Sequence, residues 1–153
     1  MTEQDAAVLR DFREQVAAGD TERIDVAYRV AGGAPGEGNR VDDVLVVSGS
    51  GRVRARSVEG PPGEGASDLG AQRATELFTT LSEHLDALIP RDQARFVPDS
   101  LVGSATITLG DLRQVTMFFV PDEADAAPGA GAPRESPIAL GEFEELLRQL
   151  LDR

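Results

Sequence analysis

The sequence predicts an α+β fold in which an antiparallel sheet of about four to five strands is packed by helices, in the order α-β-β-β-α-β-β-α. Two observations predict it: apolar and polar residues alternate in segments joined by short Gly-containing turns, and three segments show apolar residues at helical spacing. Hairpins make neighbouring strands antiparallel, so the helices are expected to cover one face of the sheet. The 153 residues fit a single domain, 1–153.

Three amphipathic helices are predicted. The first covers residues 3–18 and begins after Thr2, whose hydroxyl is suited to cap it. The second, over residues 71–89, has the clearest apolar periodicity in the chain and ends at a proline. The third begins at Ser136-Pro137, a good cap and first-turn pair. We expect the second helix to pack across the sheet.

The strands follow from alternating side chains. Residues 23–31 alternate as in a half-buried strand. Two hairpins are predicted: residues 41–48 with 52–58, and residues 104–109 with 113–120. The second hairpin is expected to turn at Gly110-Asp111. Gly, Pro and acidic residues without periodicity predict mobile loops at about 59–70 and 122–135.

The first hairpin carries a stripe of arginines. Val44 and Val46 are expected on one side of it, with Val53, Ala55 and Ser57 across from them. That arrangement leaves the other face to Arg52, Arg54 and Arg56. Two interpretations stay open for the stripe: it meets an acidic partner, or it is the solvated face of a strand that resists aggregation.

The net charge of the chain limits the classes of molecule that we expect it to bind. The 15 basic residues are all Arg, and 27 acidic residues bring the net charge to −12. Such a surface repels phosphates and anionic lipids, so we expect neither a nucleic acid nor a membrane partner. The Lys-free, acidic composition fits both a GC-rich genome and a salt-adapted proteome.

Residue types limit the chemistry further. The chain has no Cys and one histidine, His84, for which we expect a structural role. No nucleophile elbow or phosphate-binding pattern occurs, so we expect no enzyme activity, no metal and no cofactor. Paired-carboxylate chemistry stays open because 27 acids allow many pairs. A charged N-terminus and the absence of apolar runs of about 20 residues predict a cytoplasmic protein.

A Gly-rich segment after the first strand is the candidate partner-binding site. Its residues are Gly32, Gly33, Ala34, Pro35, Gly36 and Glu37. Their spacing matches neither the dinucleotide-binding nor the Walker pattern. A pliable segment with few side chains is typical of binding loops.

This segment and the strand before it resemble a known family. The carrying residues are Ile24-Asp25-Val26-Ala27-Tyr28-Arg29-Val30-Ala31-Gly32-Gly33, with Pro35-Gly36 after them. With the order of elements over residues 23–151, they resemble emfourin, a family of small protein inhibitors of thermolysin-type zinc metalloproteases. Ala34 stands where the family usually has an aromatic residue, and the N-terminal helix is additional. The resemblance implies a non-enzymatic inhibitor that contacts its protease through the loop 32–38.

The leading prediction is therefore a non-catalytic protein that binds another protein, with metalloprotease inhibition as its sharpest form. The alternative is a ligand-binding α+β domain or small enzyme, with a pocket between the sheet and the helix at 71–89. A third possibility is a helper of a larger assembly that docks through its C-terminal helix. Polar side chains pointing into the pocket would favour the alternative, whereas a fully apolar, filled interface together with an ordered protruding loop would favour protein binding. The sequence leaves the oligomeric state open.

Overall fold

A computed structural model describes residues 2–32, 41–59, 63–90, 101–119 and 140–151. The elements in chain order are α1 (Glu3–Ala17), β1 (Asp25–Gly32), β2 (Val41–Ser48), β3 (Arg52–Glu59), β4 (Gly63–Asp68), α2 (Ala71–Glu83), a 3-10 turn (Leu85–Ala87), β5 (Ile89–Pro90), β6 (Leu101–Thr108), β7 (Gln114–Phe119) and α3 (Gly141–Leu151). The α+β class is confirmed. The described sheet has seven strands rather than the expected four to five.

The sheet is antiparallel throughout, in the order β4-β3-β2-β1-β6-β7-β5. β1 is the central strand. Its core-facing residue Val26 lies beside Val47 on β2 and Ile107 on β6, and all three are fully buried. Together with apolar side chains of α1, α2 and α3 they form one core. Within the described ranges, no helix packs on the opposite face of the sheet.

Helix α1 forms as predicted. The Thr2 hydroxyl accepts a hydrogen bond from the Asp5 N–H at 3.1 Å, which satisfies one free donor at the helix start. The apolar residues Leu9, Phe12 and Val16 are buried. Phe12 meets Phe78 of α2 with ring centroids 6.4 Å apart, so the two helices share one part of the core.

An ion-pair cluster ties α1 to the hairpin between β6 and β7. The Arg113 guanidinium lies 2.7 Å from a carboxylate oxygen of Asp11 on α1, and 2.7 Å from one of Asp111 in the turn. The hydrogen bonds from Arg113 hold the pKa of both carboxyls below the ordinary value. The cluster lies at the surface, where such pairs stabilise a fold only weakly.

Helix α2 is shorter than predicted. It ends at Glu83, and the chain then makes a 3-10 turn before entering β5. The apolar pattern continues through Leu85 and Leu88, and both are buried. The periodicity over 71–89 therefore describes burial correctly but does not show where the α-helix stops.

The faces of the first hairpin differ from the prediction. Leu45 and Val47 face the core, whereas Val44 and Val46 lie half-buried on the open face. The register pairs Val44 with Arg56 and Val46 with Arg54, so these valines share a face with the arginines. Four consecutive apolar residues, 44–47, carry no alternation and therefore no signal of which face is buried.

The loop expected at 59–70 contains a strand. Residues Gly63–Asp68 form β4, which pairs with β3 at the edge of the sheet. Helix α3 crosses β4 closely: a Cβ on Gly65 would overlap the backbone oxygen of Leu150. Glycine has low strand propensity, but here it permits this approach, so packing against α3 accounts for a strand that propensity does not predict. The second predicted loop, 122–135, lies outside the described residues.

The turn of the second hairpin holds three residues rather than two. The Leu109 N–H donates to the Arg113 carbonyl at 2.9 Å, which leaves residues 110–112 in the loop. The Leu112 N–H donates to the Leu109 carbonyl at 2.9 Å, and Leu112 adopts a φ of 69°. A turn followed by one left-handed residue is a common three-residue hairpin loop.

Helix α3 buries the predicted apolar face against β2, β3 and β4. Its predicted start, Ser136-Pro137, lies outside the described residues. Phe143 stacks on Tyr28 of β1 with ring centroids 6.4 Å apart, and Phe119 of β7 lies 5.4 Å from the same tyrosine ring. This aromatic cluster fills the core beneath the central strand.

Candidate functional site

Gly32 is the residue of the predicted site that the structure describes, and it ends the central strand β1. Its Cα partners are Val41 on β2 and Leu101 on β6, so strands flank it on both sides. Its φ is 123°, a conformation that residues with a side chain rarely adopt. The other predicted site residues, Gly33, Ala34, Pro35, Gly36 and Glu37, lie outside the described residues.

An ion pair fastens β1 to β2 close to this strand end. The Arg29 guanidinium donates two hydrogen bonds to the Asp42 carboxylate, each 2.9 Å long. These bonds raise the pKa of Arg29 above the ordinary value. The Arg29 side chain is 52% exposed, so the pair adds little to global stability. Its two-point geometry bridges the open faces of β1 and β2, which the strand pairing already aligns as far as Gly32 and Val41.

The core side of the same strand end is packed with aromatic rings. Phe119 lies opposite Gly103, and its ring fills the space that a side chain on Gly103 would take. The ring also contacts Tyr28, which is fully buried. The core side of the sheet near the end of β1 is therefore filled by the Phe119 and Tyr28 rings.

Two polar side chains are buried near this strand end. Asp43 on β2 and Ser57 on β3 are Cα partners, and each is 7% exposed. Sequence reasoning placed Ser57 on a strand face but missed the burial of Asp43. An acidic residue at the start of a strand is more often solvated, so nothing in the sequence marks Asp43 as buried.

No family model and no curated protein matches the chain.

In the part of the chain that the structure describes, no helix is long and apolar enough to cross a membrane. Within the same residues, no group of three His, Cys, Asp or Glu side chains could hold a metal ion. His84 is exposed at the end of α2, and its Nδ1 lies 2.9 Å from the Thr80 carbonyl oxygen.

The open face of the sheet contains a groove over β2, β3 and β4. Its volume is about 610 Å³. Val44 and Val46 line it on the β2 side, and Arg54 and Arg56 rise from the middle strand. Glu64 and Ala66 line it on the β4 side. Sequence reasoning found the arginines but not the groove, because it placed the two valines on the core face.

Positive charge on this face is concentrated on β3. Arg52, Arg54 and Arg56 are exposed, and none makes an ion pair with a described residue. The open faces of the described strands β1, β2, β6 and β7 carry charge at Asp25 and in the Arg29–Asp42 pair. Their other residues there are uncharged: Ala27, Ala31, Val44, Val46, Ser48, Val102, Ser104, Thr106, Thr108, Gln114, Thr116 and Phe118.

Proposed function

We propose that the chain is a non-catalytic binding protein that inhibits a thermolysin-type zinc metalloprotease through the segment from Gly32 to Glu37. The proposal rests on the position of Gly32 in the sheet. It ends the central strand, it has a partner strand on each side, and its φ of 123° favours glycine. The emfourin resemblance supplies the class of enzyme.

The Gly-rich composition of the segment suits inhibition through backbone groups. A segment with few side chains presents its N–H and C=O groups freely, and these can pair with an enzyme cleft as an added strand. The Arg29–Asp42 pair and the Phe119 ring hold the base of the segment. A fixed base lowers the entropy that the segment loses on binding.

The packing of α2 also supports a binding protein over the alternative with a pocket beneath that helix. The residues that α2 buries are all apolar: Ala74, Leu77, Phe78 and Leu81. A ligand pocket in that position needs polar groups to orient its ligand. The proposal keeps the cytoplasmic location and the absence of nucleic acid partners that the sequence predicts.

The test is a titration of a thermolysin-type protease with the purified protein. We expect stoichiometric inhibition at submicromolar concentration, and a loss of at least about tenfold in affinity for Gly32→Val. A valine at this φ must move the strand end. The matched control is Gly19→Val: Gly19 also has a positive φ, 74°, but lies in the turn after α1.

Two results would contradict the proposal. Absence of inhibition at concentrations of about 50 μM would remove this class of enzyme as the target. Equal inhibition by the wild type and both folded variants would remove the strand end at Gly32 as the contact. Circular dichroism and thermal unfolding of each variant show whether a loss of inhibition reflects a loss of fold.

A further inference from the structure

We propose that the groove on the open face of the sheet binds an acidic, extended segment of a partner protein, with Arg54 and Arg56 as the contacts for its carboxylates. This surface lies on the face of the sheet, whereas the proposed inhibitory contact lies at the end of β1. The two proposals are therefore independent.

The charges around the groove favour an anionic ligand. The guanidinium groups of Arg54 and Arg56 are exposed and make no ion pair with any residue in the described ranges. Glu64 is the Cα partner of Arg56, yet the two form no ion pair. Glu64 is the acidic residue in the groove lining, beside two guanidinium groups, so the groove is locally positive in a chain with a net charge of −12. A carboxylate ligand would accept charge-assisted hydrogen bonds from the guanidinium groups of Arg54 and Arg56.

Arg52 differs from the other two arginines of the stripe. Its Cα partner is Asp68, and Asp25 lies on the same face two strands away. The Asp68 carboxylate also accepts a hydrogen bond from the Gly70 N–H at 2.9 Å. Arg56 also has an acidic Cα partner, Glu64, but Arg54 and Arg56 line the groove whereas Arg52 does not. The anion contacts are assigned to these two residues for that reason.

The spacing of the arginines specifies the shape of the ligand. Residues 54 and 56 are two apart on a strand, so their Cα atoms are separated by about 6.8 Å. An extended peptide repeats its side chains on one face at the same interval. Acidic residues at alternate positions would meet both guanidinium groups. The methylene groups of glutamates would then pack on Val44 and Val46, which line the groove beside the arginines.

The net charge argues against other anions of large size. Nucleic acids and anionic membranes extend far beyond the groove and would meet the repulsion of the whole acidic surface. A short peptide occupies only the groove, and salt shortens the range of the surrounding repulsion to about 8 Å at 0.15 M. An acidic protein segment is therefore the partner that both the local and the global charge permit.

The test uses a fluorescein-labelled peptide of four Glu-Ser repeats and fluorescence anisotropy. We expect saturable binding that weakens as NaCl is raised. Binding should fall roughly five- to thirtyfold for the double variant Arg54→Gln, Arg56→Gln, equivalent to about 1–2 kcal/mol. The control carries the same change of charge at two exposed arginines away from the groove, Arg10→Gln and Arg23→Gln, and should bind like the wild type.

Three results would overturn the proposal. They are no binding of the peptide at millimolar concentration, equal binding by the groove variant and the wild type, and equal loss in both double variants. A dimer in analytical ultracentrifugation that the groove substitutions dissociate would assign the face to a second copy of the chain instead. Because both groove arginines are exposed, their substitution should leave the thermal unfolding curve unchanged, which confirms that the variant is folded.

Discussion

At the scale of single residues, Leu112 adopts a conformation that other residues adopt more easily. Its φ of 69° lies in the left-handed region, where a residue other than Gly, Asn or Asp pays roughly 1–2 kcal/mol. The residue is 82% exposed, so burial offsets little of that cost. The turn keeps its geometry because hydrogen bonds between Leu109 and Arg113 and between Leu112 and Leu109 close it.

Replacement of this leucine should therefore stabilise the protein. We expect Leu112→Asn to raise the free energy of unfolding by about 0.5–1 kcal/mol, because asparagine tolerates the left-handed conformation. Urea unfolding followed by circular dichroism measures the change. Leu112→Ala is the control, since it removes the exposed apolar surface and keeps the strain. Equal stabilisation by both substitutions would show that the exposed side chain, and not the backbone, is responsible.

At the scale of elements, contact between β4 and α3 depends on glycines of unequal importance. A Cβ on Gly65 would overlap the backbone oxygen of Leu150, which cannot move without shifting the helix. A Cβ on Gly63 would lie 3.4 Å from the Cδ2 atom of Leu151, an ordinary contact with a flexible side chain. Both glycines face α3 from the same strand.

This difference predicts unequal results for the same substitution at the two positions. Gly65→Ala should destabilise the fold by about 1–3 kcal/mol, since overpacking forces β4 and α3 apart. Gly63→Ala should change the free energy of unfolding by less than about 0.5 kcal/mol. Amide hydrogen exchange adds a local measurement: Gly65→Ala should speed exchange in β4 and α3 before it does so in β1. Similar costs for the two substitutions would contradict the packing described for Gly65.

The same elements show where sequence patterns are sufficient. Alternation predicts β1, and helical spacing predicts α1 and the apolar face of α3, because each buries one face and exposes the other. The segment 44–47 is uniformly apolar, so its buried face is set by pairing with neighbouring strands. β4 has no strand-forming composition, and its structure depends on packing against α3, a contact that no local pattern encodes.

For the two candidate binding surfaces as well, the sequence predicts some features, and others depend on the structure. A glycine after an alternating strand is visible in the sequence, and so is the stripe of arginines on β3. The groove is not visible, because it needs β4 and the outward direction of Val44 and Val46. Whether Arg54 has an ion-pair partner also depends on which strand lies beside it, which only the sheet order determines.

At the scale of the whole molecule, the dominant electrostatic feature is a net charge of −12. The ion pairs of the described residues lie at the surface, among them Arg113 with Asp11 and Arg148 with Glu144. Exposed pairs contribute at most about 1 kcal/mol each. Repulsion among the excess acids acts on all of the surface and opposes the compact state. Repulsion should therefore outweigh the local pairs.

Salt should accordingly stabilise the protein. At neutral pH, a rise in NaCl from about 0.01 M to about 1 M shortens the screening length from about 30 Å to about 3 Å. We expect Tm to rise by at least about 2–4 °C, equivalent to roughly 1 kcal/mol. The control is the same titration near pH 4.4, the isoelectric point, where the net charge vanishes and the salt effect should largely disappear. A fall of Tm with salt at neutral pH would mean that surface ion pairs contribute more stability than the excess acids remove.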